Sequence, residues 1–275
     1  CYSEEGDGTP GNLHLREVQM IEGKTKGIGY VAGSWPLDPE KSTIVFIHGA
    51  GGSGIFWQAQ VEGLVARANT LAIDLPGHGK SDGEGRDKVE DYARIVANFM
   101  KETNLPNPIP CGLSMGGAIT QLLLIDYRDQ VKAGVLVSTG SRLKVAPAIF
   151  EIIEKNYSDY VDMVCSFAAS EKTNPVLLAP FKEEIARCRP EIAHGDFRAC
   201  DCFDVTARLS AIDVPVLVVT AEDDKLTPPK YGEALEKGIK NATRAHIMDA
   251  GHIAPMEKSD EINKIILKFL DQTGL

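Results

Sequence analysis

The sequence predicts an α/β fold: a mostly parallel central sheet with helices on both faces and an inserted helical cap. Three observations carry that expectation. Short continuous apolar runs, the composition of strands buried on both faces, alternate with amphipathic helical spacings along most of the chain. Several of those runs close on Gly- or Pro-rich loops, as strands of an open sheet do before the chain turns back into a helix. Between residues 143 and 206 the alternation stops, and helical spacing continues without a buried strand. The expected organisation is a core formed by 1–142 and 207–275, with a cap inserted at 143–206.

Taken in order, residues 1–11, CYSEEGDGTPG, are polar and Gly/Pro-rich and read as mobile chain. NLHLREVQMI and GIGYVAG alternate apolar and polar positions and predict two opening strands, with a turn around Gly23 to Lys26. Ile44 to Ile47 form a buried strand ending in glycines, and IFWQAQVEGLVARA has helical spacing. NTLAIDLPGHGKSD is a second buried strand closing on a Pro/Gly loop. VEDYARIVANFMKETN is an amphipathic helix, NPIPCG a short strand, MGGAITQLLLIDYRDQ a helix and KAGVLVSTG a strand. Pro110 has no N–H to give to a sheet ladder, so the strand containing it is expected to be short or locally unpaired. After the cap, DVPVLVVTAEDD and ATRAHIMDAGH predict two further strands, and DEINKIILKFLDQ a closing helix.

Bulk composition narrows the function classes. At 275 residues, 43% of them hydrophobic and 25% charged, the chain can bury one large core. A formal charge of -10 without a Lys/Arg cluster argues against a nucleic-acid partner. The apolar runs, such as Val214 to Val219, are far shorter than the roughly 20 residues that span a bilayer, so no membrane span is expected. Six thinly spread cysteines suit a reducing compartment, and the expected localisation is cytoplasmic. Because the first residue is Cys1 rather than Met, a preceding piece is expected, which leaves a lipid-anchored or exported form open. Cys200 and Cys202 are too close for the usual zinc spacing and have no second pair, so no metal is expected, and the serine chemistry considered next needs no cofactor.

The chemistry centres on CGLSMGG, residues 111–117. Glycines on either side of Ser114 let a strand turn sharply into a helix, exposing the hydroxyl, with the Met115 N–H placed to donate to an oxyanion. A serine hydroxyl needs a base, and the base needs a carboxylate to hold its tautomer. Of six histidines, His252 is the one that follows a late strand on a Gly-containing loop ahead of the last helix. His14 comes too early and His194 lies in the cap. His246 sits within a strand, and His78 belongs to a Pro/Gly loop where a structural role is expected. The acid is sought after VPVLVVT, where AEDDKLTPP offers Glu222, Asp223 and Asp224, in a loop that would otherwise read as a solvated turn. The small residues of HGAGG let the backbone approach a substrate, so the Ala50 N–H can join that of Met115 in an oxyanion hole. No phosphate-binding glycine pattern accompanies it. Cys111 reads as a small buried apolar residue, not as a second nucleophile.

Together FIHGAGG, AIDLPGHGKSD, CGLSMGG, AEDDKLTPP and DAGHIAPME resemble the α/β-hydrolase superfamily, in order and over nearly the whole chain outside the cap. That resemblance implies the α/β-hydrolase fold, Ser114 as nucleophile, His252 as general base, and Ala50 and Met115 as oxyanion donors. The family places its acid four residues before a proline, as Asp224 stands before Pro228, which favours Asp224 over Asp223. It also implies a cap that covers the pocket and chooses the substrate. Dehalogenases and epoxide hydrolases of the superfamily carry Asp where Ser114 stands, and are disfavoured. Carbon–carbon bond hydrolases carry Asn before the serine and Trp after the histidine, where this chain has Leu113 and Ile253.

The expected activity is hydrolysis of carboxylic esters of small to medium acyl chain, on a small-molecule substrate, by a monomer or homodimer. The alternatives are a carbon–carbon bond, lactone or thioester hydrolase with the same triad, or a non-catalytic small-molecule binder.

Overall fold

A computed structural model describes residues 20–275; the polar start, His14 and nearly all of the first expected strand lie outside the described residues. The first half of the chain forms β1 (Ile21–Thr25), β2 (Ile28–Ala32), β3 (Thr43–Ile47), α1 (Gln58–Leu64), β4 (Asn69–Ile73), α2 (Val89–Glu102), β5 (Pro108–Leu113), α3 (Met115–Asp126) and β6 (Gly134–Val137). Four helices follow: α4 (Pro147–Lys155), α5 (Tyr157–Ala168), α6 (Leu178–Arg187) and α7 (Pro190–Cys202). The chain then forms β7 (Val216–Ala221), α8 (Pro229–Gly238), β8 (Ala242–Ile247), α9 (Ala254–Glu257) and α10 (Ser259–Thr273).

Among the described residues the strands make one eight-stranded sheet in the order β1-β2-β4-β3-β5-β6-β7-β8. Only the β1–β2 and β2–β4 pairings are antiparallel. From β4 to β8 all pairings are parallel, as strand–helix alternation requires. Side chains along β3 alternate between two cores. Val45 and Ile47 pack with Val96 of α2 and Ile119 of α3, whereas Ile44 and Phe46 pack with Val61 of α1 and Ile266 of α10. A strand buried on both faces is a continuous apolar run, which is how β3 reads in the sequence. Helix α3 is buried from Met115 to Leu124, so it lacks the polar stripe of a surface helix.

One local expectation is corrected. The first turn falls at Lys26–Gly27, and Gly23 lies inside β1, paired with Tyr30. Lys26 and Gly27 both have positive φ, 54° and 78°. That is the backbone of a tight two-residue hairpin turn, usually announced by Asn-Gly, and a lysine in the first position hides it.

Pro110 is accommodated as its chemistry demands. The Ser114 N–H bonds to Val137 O, so even-numbered residues of β5 direct their N–H groups towards β6. Pairing of β5 with β6 begins only at Cys111, which leaves the missing N–H of Pro110 just beyond that ladder.

Helices α4 to α7 have an apolar cluster of their own, including Ile153, Tyr160, Val161, Phe181 and Ile185, which meets Phe56 and Ile253 of the sheet layer. At its neck an antiparallel bridge joins Arg142 to Asp204, and the Val205 N–H donates to Ser141 O at 2.8 Å. These helices overlie the carboxyl ends of β3, β5 and β7, where open parallel sheets bind their ligands.

Candidate active site

Between β5 and α3 the chain reverses at a single residue. Ser114 has φ 56° and ψ -115°, a conformation that costs a non-glycine residue about 1–3 kcal/mol and persists only when its surroundings enforce it. Here they do. The Ser114 N–H bonds to Val137 O at 3.0 Å, and its carbonyl accepts from the N–H groups of Gly117 and Ala118 and from the Thr139 hydroxyl. The turn is so tight that a Cβ on Gly112 would lie 2.0 Å from the carbonyl oxygen of Gly116. Backbone cannot yield there. Gly112→Ala is therefore expected to cost about 3 kcal/mol or more, seen as a melting temperature lower by roughly 10 °C, with the site distorted in whatever folds.

The loop after β3 lies against this turn, with a Cβ on Gly49 only 3.2 Å from that of Ser114. His48 organises the loop from behind. Its Nε2 accepts the Leu75 N–H at 2.9 Å, so the proton sits on Nδ1 and is donated to Gly49 O at 2.8 Å. Burial, helped by the neighbouring His78, holds the His48 pKa down to about 3 and keeps the ring neutral. The Gly52 N–H donates to the same carbonyl at 3.2 Å. In a trans peptide the N–H points opposite to the C=O, so pinning Gly49 O turns the Ala50 N–H away from His48. Met115 begins α3, where the first amides have no intrahelical acceptor.

Of the three acidic residues after β7, Asp224 is the one bonded to His252, with both carboxylate oxygens 3.1 Å from Nδ1. Asp223 instead accepts from the Ser170 hydroxyl, and Glu222 from the Asp249 N–H. Asp224 also accepts from the N–H groups of Leu226 and Thr227 and from the Thr227 hydroxyl. Burial pushes the Asp224 carboxyl up, but the His252 ring and the Thr227 hydrogen bonds outweigh it and hold the pKa below the ordinary carboxylate value. With its Nδ1–H given to Asp224, His252 keeps Nε2 as the acceptor nitrogen.

Two contributors were not singled out in the sequence. Thr227 donates three residues beyond Asp224, a local capping pattern that was there to be read. The other is the end of α5, which no local pattern reveals. Its Ala168 carbonyl accepts the N–H groups of His252 and Ile253, and the next loop is tied by Glu257, which takes the Ser170 and Gly251 N–H groups.

Ser114, Ala50, Thr227 and His252 border one cavity of about 410 Å3, roofed by residues of the four-helix segment that include Met163, Phe167, Phe181 and Phe197. Of the aromatic residues on α4 to α7, Tyr160, Phe167, Phe181 and Phe197 face this cavity, while Phe150 packs on His194. The lining is predominantly apolar. The two lysines on its wall are engaged elsewhere, Lys225 with Glu171 and Lys144 with Asp201.

The other described histidines are occupied: His78 with Asp196, His194 with Glu154, and His246 with Thr220. Cys111 is fully buried, and burial pushes its thiol pKa well up, away from a reactive thiolate. Among the described residues no group of three or more His, Cys, Asp and Glu could hold a metal ion, and no helix is long and apolar enough to cross a membrane.

Residues 44–265 match the family described as "Alpha/beta hydrolase family". A protein named as a carbamate hydrolase, from Variovorax paradoxus, is 28% identical over 253 residues, covering 86% of this chain and 93% of its own. A pimeloyl-acyl-carrier-protein methyl ester esterase of Neisseria meningitidis is 25% identical over 242 residues, covering 83% of this chain and 93% of its own. Among solved structures, a thermophilic esterase is 31% identical, superposes with a TM-score of 0.81, and covers 93% of this chain and 98% of its own.

Proposed function

The chain belongs to the alpha/beta hydrolase family, and from that premise we propose that it is a serine hydrolase of carboxylic esters with small to medium acyl chains. The observation that carries this reading is that His252, bonded to Asp224 behind it, lines the same cavity that Ser114 borders. In this reading Ser114 Oγ attacks the ester carbonyl and passes its proton to His252 Nε2. Asp224 stabilises the imidazolium, and the Ala50 and Met115 amides meet the charge on the carbonyl oxygen. Collapse of the tetrahedral intermediate breaks the ester C–O bond, and His252 returns the proton to the departing alcohol. His252 then takes a proton from water as it attacks the acyl carbonyl and returns it to Ser114 Oγ as the acid leaves.

The insertion, 143–206, is the lid of this site and the source of its selectivity. A volume near 410 Å3 is at the small end of the roughly 300–1,000 Å3 typical of ligand pockets, and its apolar roof favours an aliphatic acyl group over a charged one. A binding protein with no reaction to perform has no use for the strained backbone at Ser114, so that conformation favours catalysis.

The test is a p-nitrophenyl ester series from acetate to decanoate. The expected result is a maximum in kcat/KM at an intermediate chain length, falling by about tenfold or more towards decanoate as the roof is overfilled. No turnover at any length would remove simple esters and move the reading to lactone, thioester or carbon–carbon substrates.

A further inference from the structure

The backbone of His252 is held from behind by the end of a helix that helps to roof the cavity. Helix α5 stops at Ala168, whose carbonyl, like the last ones of any helix, has no partner within the helix. It accepts the His252 N–H at 2.6 Å and the Ile253 N–H at 3.3 Å. Those N–H groups belong to the two peptides that flank the His252 Cα, so one acceptor fixes both planes and, with them, the direction of the Cα–Cβ bond. The ring has a second anchor in the bond from Nδ1 to Asp224. With Cβ placed by the backbone and Nδ1 by the carboxylate, Nε2 has little freedom left.

The Ala168 carbonyl must itself be kept against the His252 loop, and the half-buried Glu257 at the end of α9 does so. Its Oε1 accepts the Gly251 N–H at 2.9 Å. Its Oε2 accepts the Ser170 N–H at 2.9 Å and also takes the Thr173 hydroxyl. The two oxygens thus tie the Ala250–Gly251 peptide to the residue two beyond Ala168. Ser170 is tied a second time, through its hydroxyl, to Asp223 at 2.5 Å, next to the acid. The two backbones are as close as they can be: a Cβ on Gly251 would lie 2.6 Å from the Ala169 carbonyl carbon and 2.7 Å from Ala168 O.

We infer that Glu257 is a positioning residue for His252: it clamps the end of α5 to the His252 loop, so that the Ala168 carbonyl sets the direction in which the general base points. The inference rests on the hydrolase reading above and deepens it, because a helix that roofs the cavity then takes part in the proton transfers as well as in substrate choice.

Two substitutions act on this contact by different routes. In Glu257→Gln an NH2 group must replace one oxygen, and on either side it meets a backbone N–H, of Gly251 or of Ser170, so half of the clamp is lost. In Gly251→Ala the methyl forces the two backbones apart. Each is expected to lower kcat for a p-nitrophenyl ester by about tenfold or more, since displacing a reacting group by about 1 Å can cost about 100-fold. KM should change by less than about threefold, and covalent labelling of Ser114 by a p-nitrophenyl phosphonate should slow in parallel with kcat. In an Asp224→Asn background, where His252 is already disabled as a base, either substitution should cost less than about threefold more, whereas a general loosening of the cavity would multiply with it.

A loss of kcat smaller than about tenfold in Glu257→Gln, a loss confined to KM, or effects that multiply fully in the Asp224→Asn background would each overturn the inference. If Glu257→Gln does not fold, Gly251→Ala decides by the same readouts, and if no ester in the series is turned over, the labelling rate decides alone. If Ser114 in the wild-type protein is not labelled at all, the hydrolase reading fails and the inference falls with it. Normal wild-type labelling with unaffected variants sinks the inference alone.

Discussion

Ser114→Ala is expected to lower kcat/KM for an activated ester by about 10⁴- to 10⁶-fold while leaving the fold intact. The loss is that large because base and acid act only through the nucleophile; without Oγ, the His252–Asp224 pair has no proton to take. The fold should survive because what holds this turn is backbone. The Ser114 N–H keeps Val137 O, and its carbonyl keeps the amides of Gly117 and Ala118 and the Thr139 hydroxyl. Alanine inherits the strain of φ 56°, so the melting temperature should hardly move.

Glycine would be relieved of that strain. Ser114→Gly should be as inactive as the alanine variant and more stable than wild type by about 1 kcal/mol, a rise of roughly 2–4 °C in a thermal melt. The pair of variants separates two reasons for keeping a serine in this conformation. If glycine adds no stability, the turn stores no strain, and the argument that this backbone was retained for reaction loses its physical basis.

The sheet was legible from its apolar runs because parallel strands buried on both faces have nowhere to place polar residues, as in Thr43–Ile47 and Val216–Ala221. The strand-to-helix turn at Ser114 was legible because only glycine fits at Gly112. Contacts carried by α4 to α7 were not legible. Asp196 accepts the Gly51 N–H from 145 positions away, in a stretch that reads only as continued helical spacing, and nothing local distinguishes a buried carboxylate from a solvated one. His78 shows the same limit from the other side. A histidine in a Pro/Gly loop reads as structural, and only its distance to Asp196 reveals a buried ion pair. The Ala168 carbonyl is less legible still, since backbone acceptors leave no mark on sequence. Residue chemistry thus exposed the proposed reacting groups and the acid beside His252, whereas the contacts of Asp196 and of the Ala168 carbonyl are set by long-range packing.

The carboxylate that aims His252 should be nearly as sensitive as the nucleophile. Asp224→Asn is expected to lower kcat by about 10⁴-fold, and the hydrogen bonds dictate how. Oδ1 accepts two backbone amides, from Leu226 and Thr227, so the side-chain oxygen of asparagine must stay there. Its NH2 then replaces Oδ2, between the Thr227 hydroxyl and His252 Nδ1. Facing a donor, Nδ1 must accept, so the ring proton moves to Nε2 and His252 can no longer take the serine proton. Thr227→Val keeps the backbone donor and loses only the hydroxyl, so its loss should be nearer tenfold. Asp224→Asn also changes acid stability in a defined direction. The folded pKa of Asp224 lies below its unfolded value of about 3.9, so its contribution is fully present above that pH and is lost as pH falls through the folded value. Wild type should therefore melt above Asp224→Asn near neutrality, and the gap should narrow below about pH 4. A gap that widens in acid would mean that the carboxyl is held protonated in the folded protein, and His252 would then need a different partner.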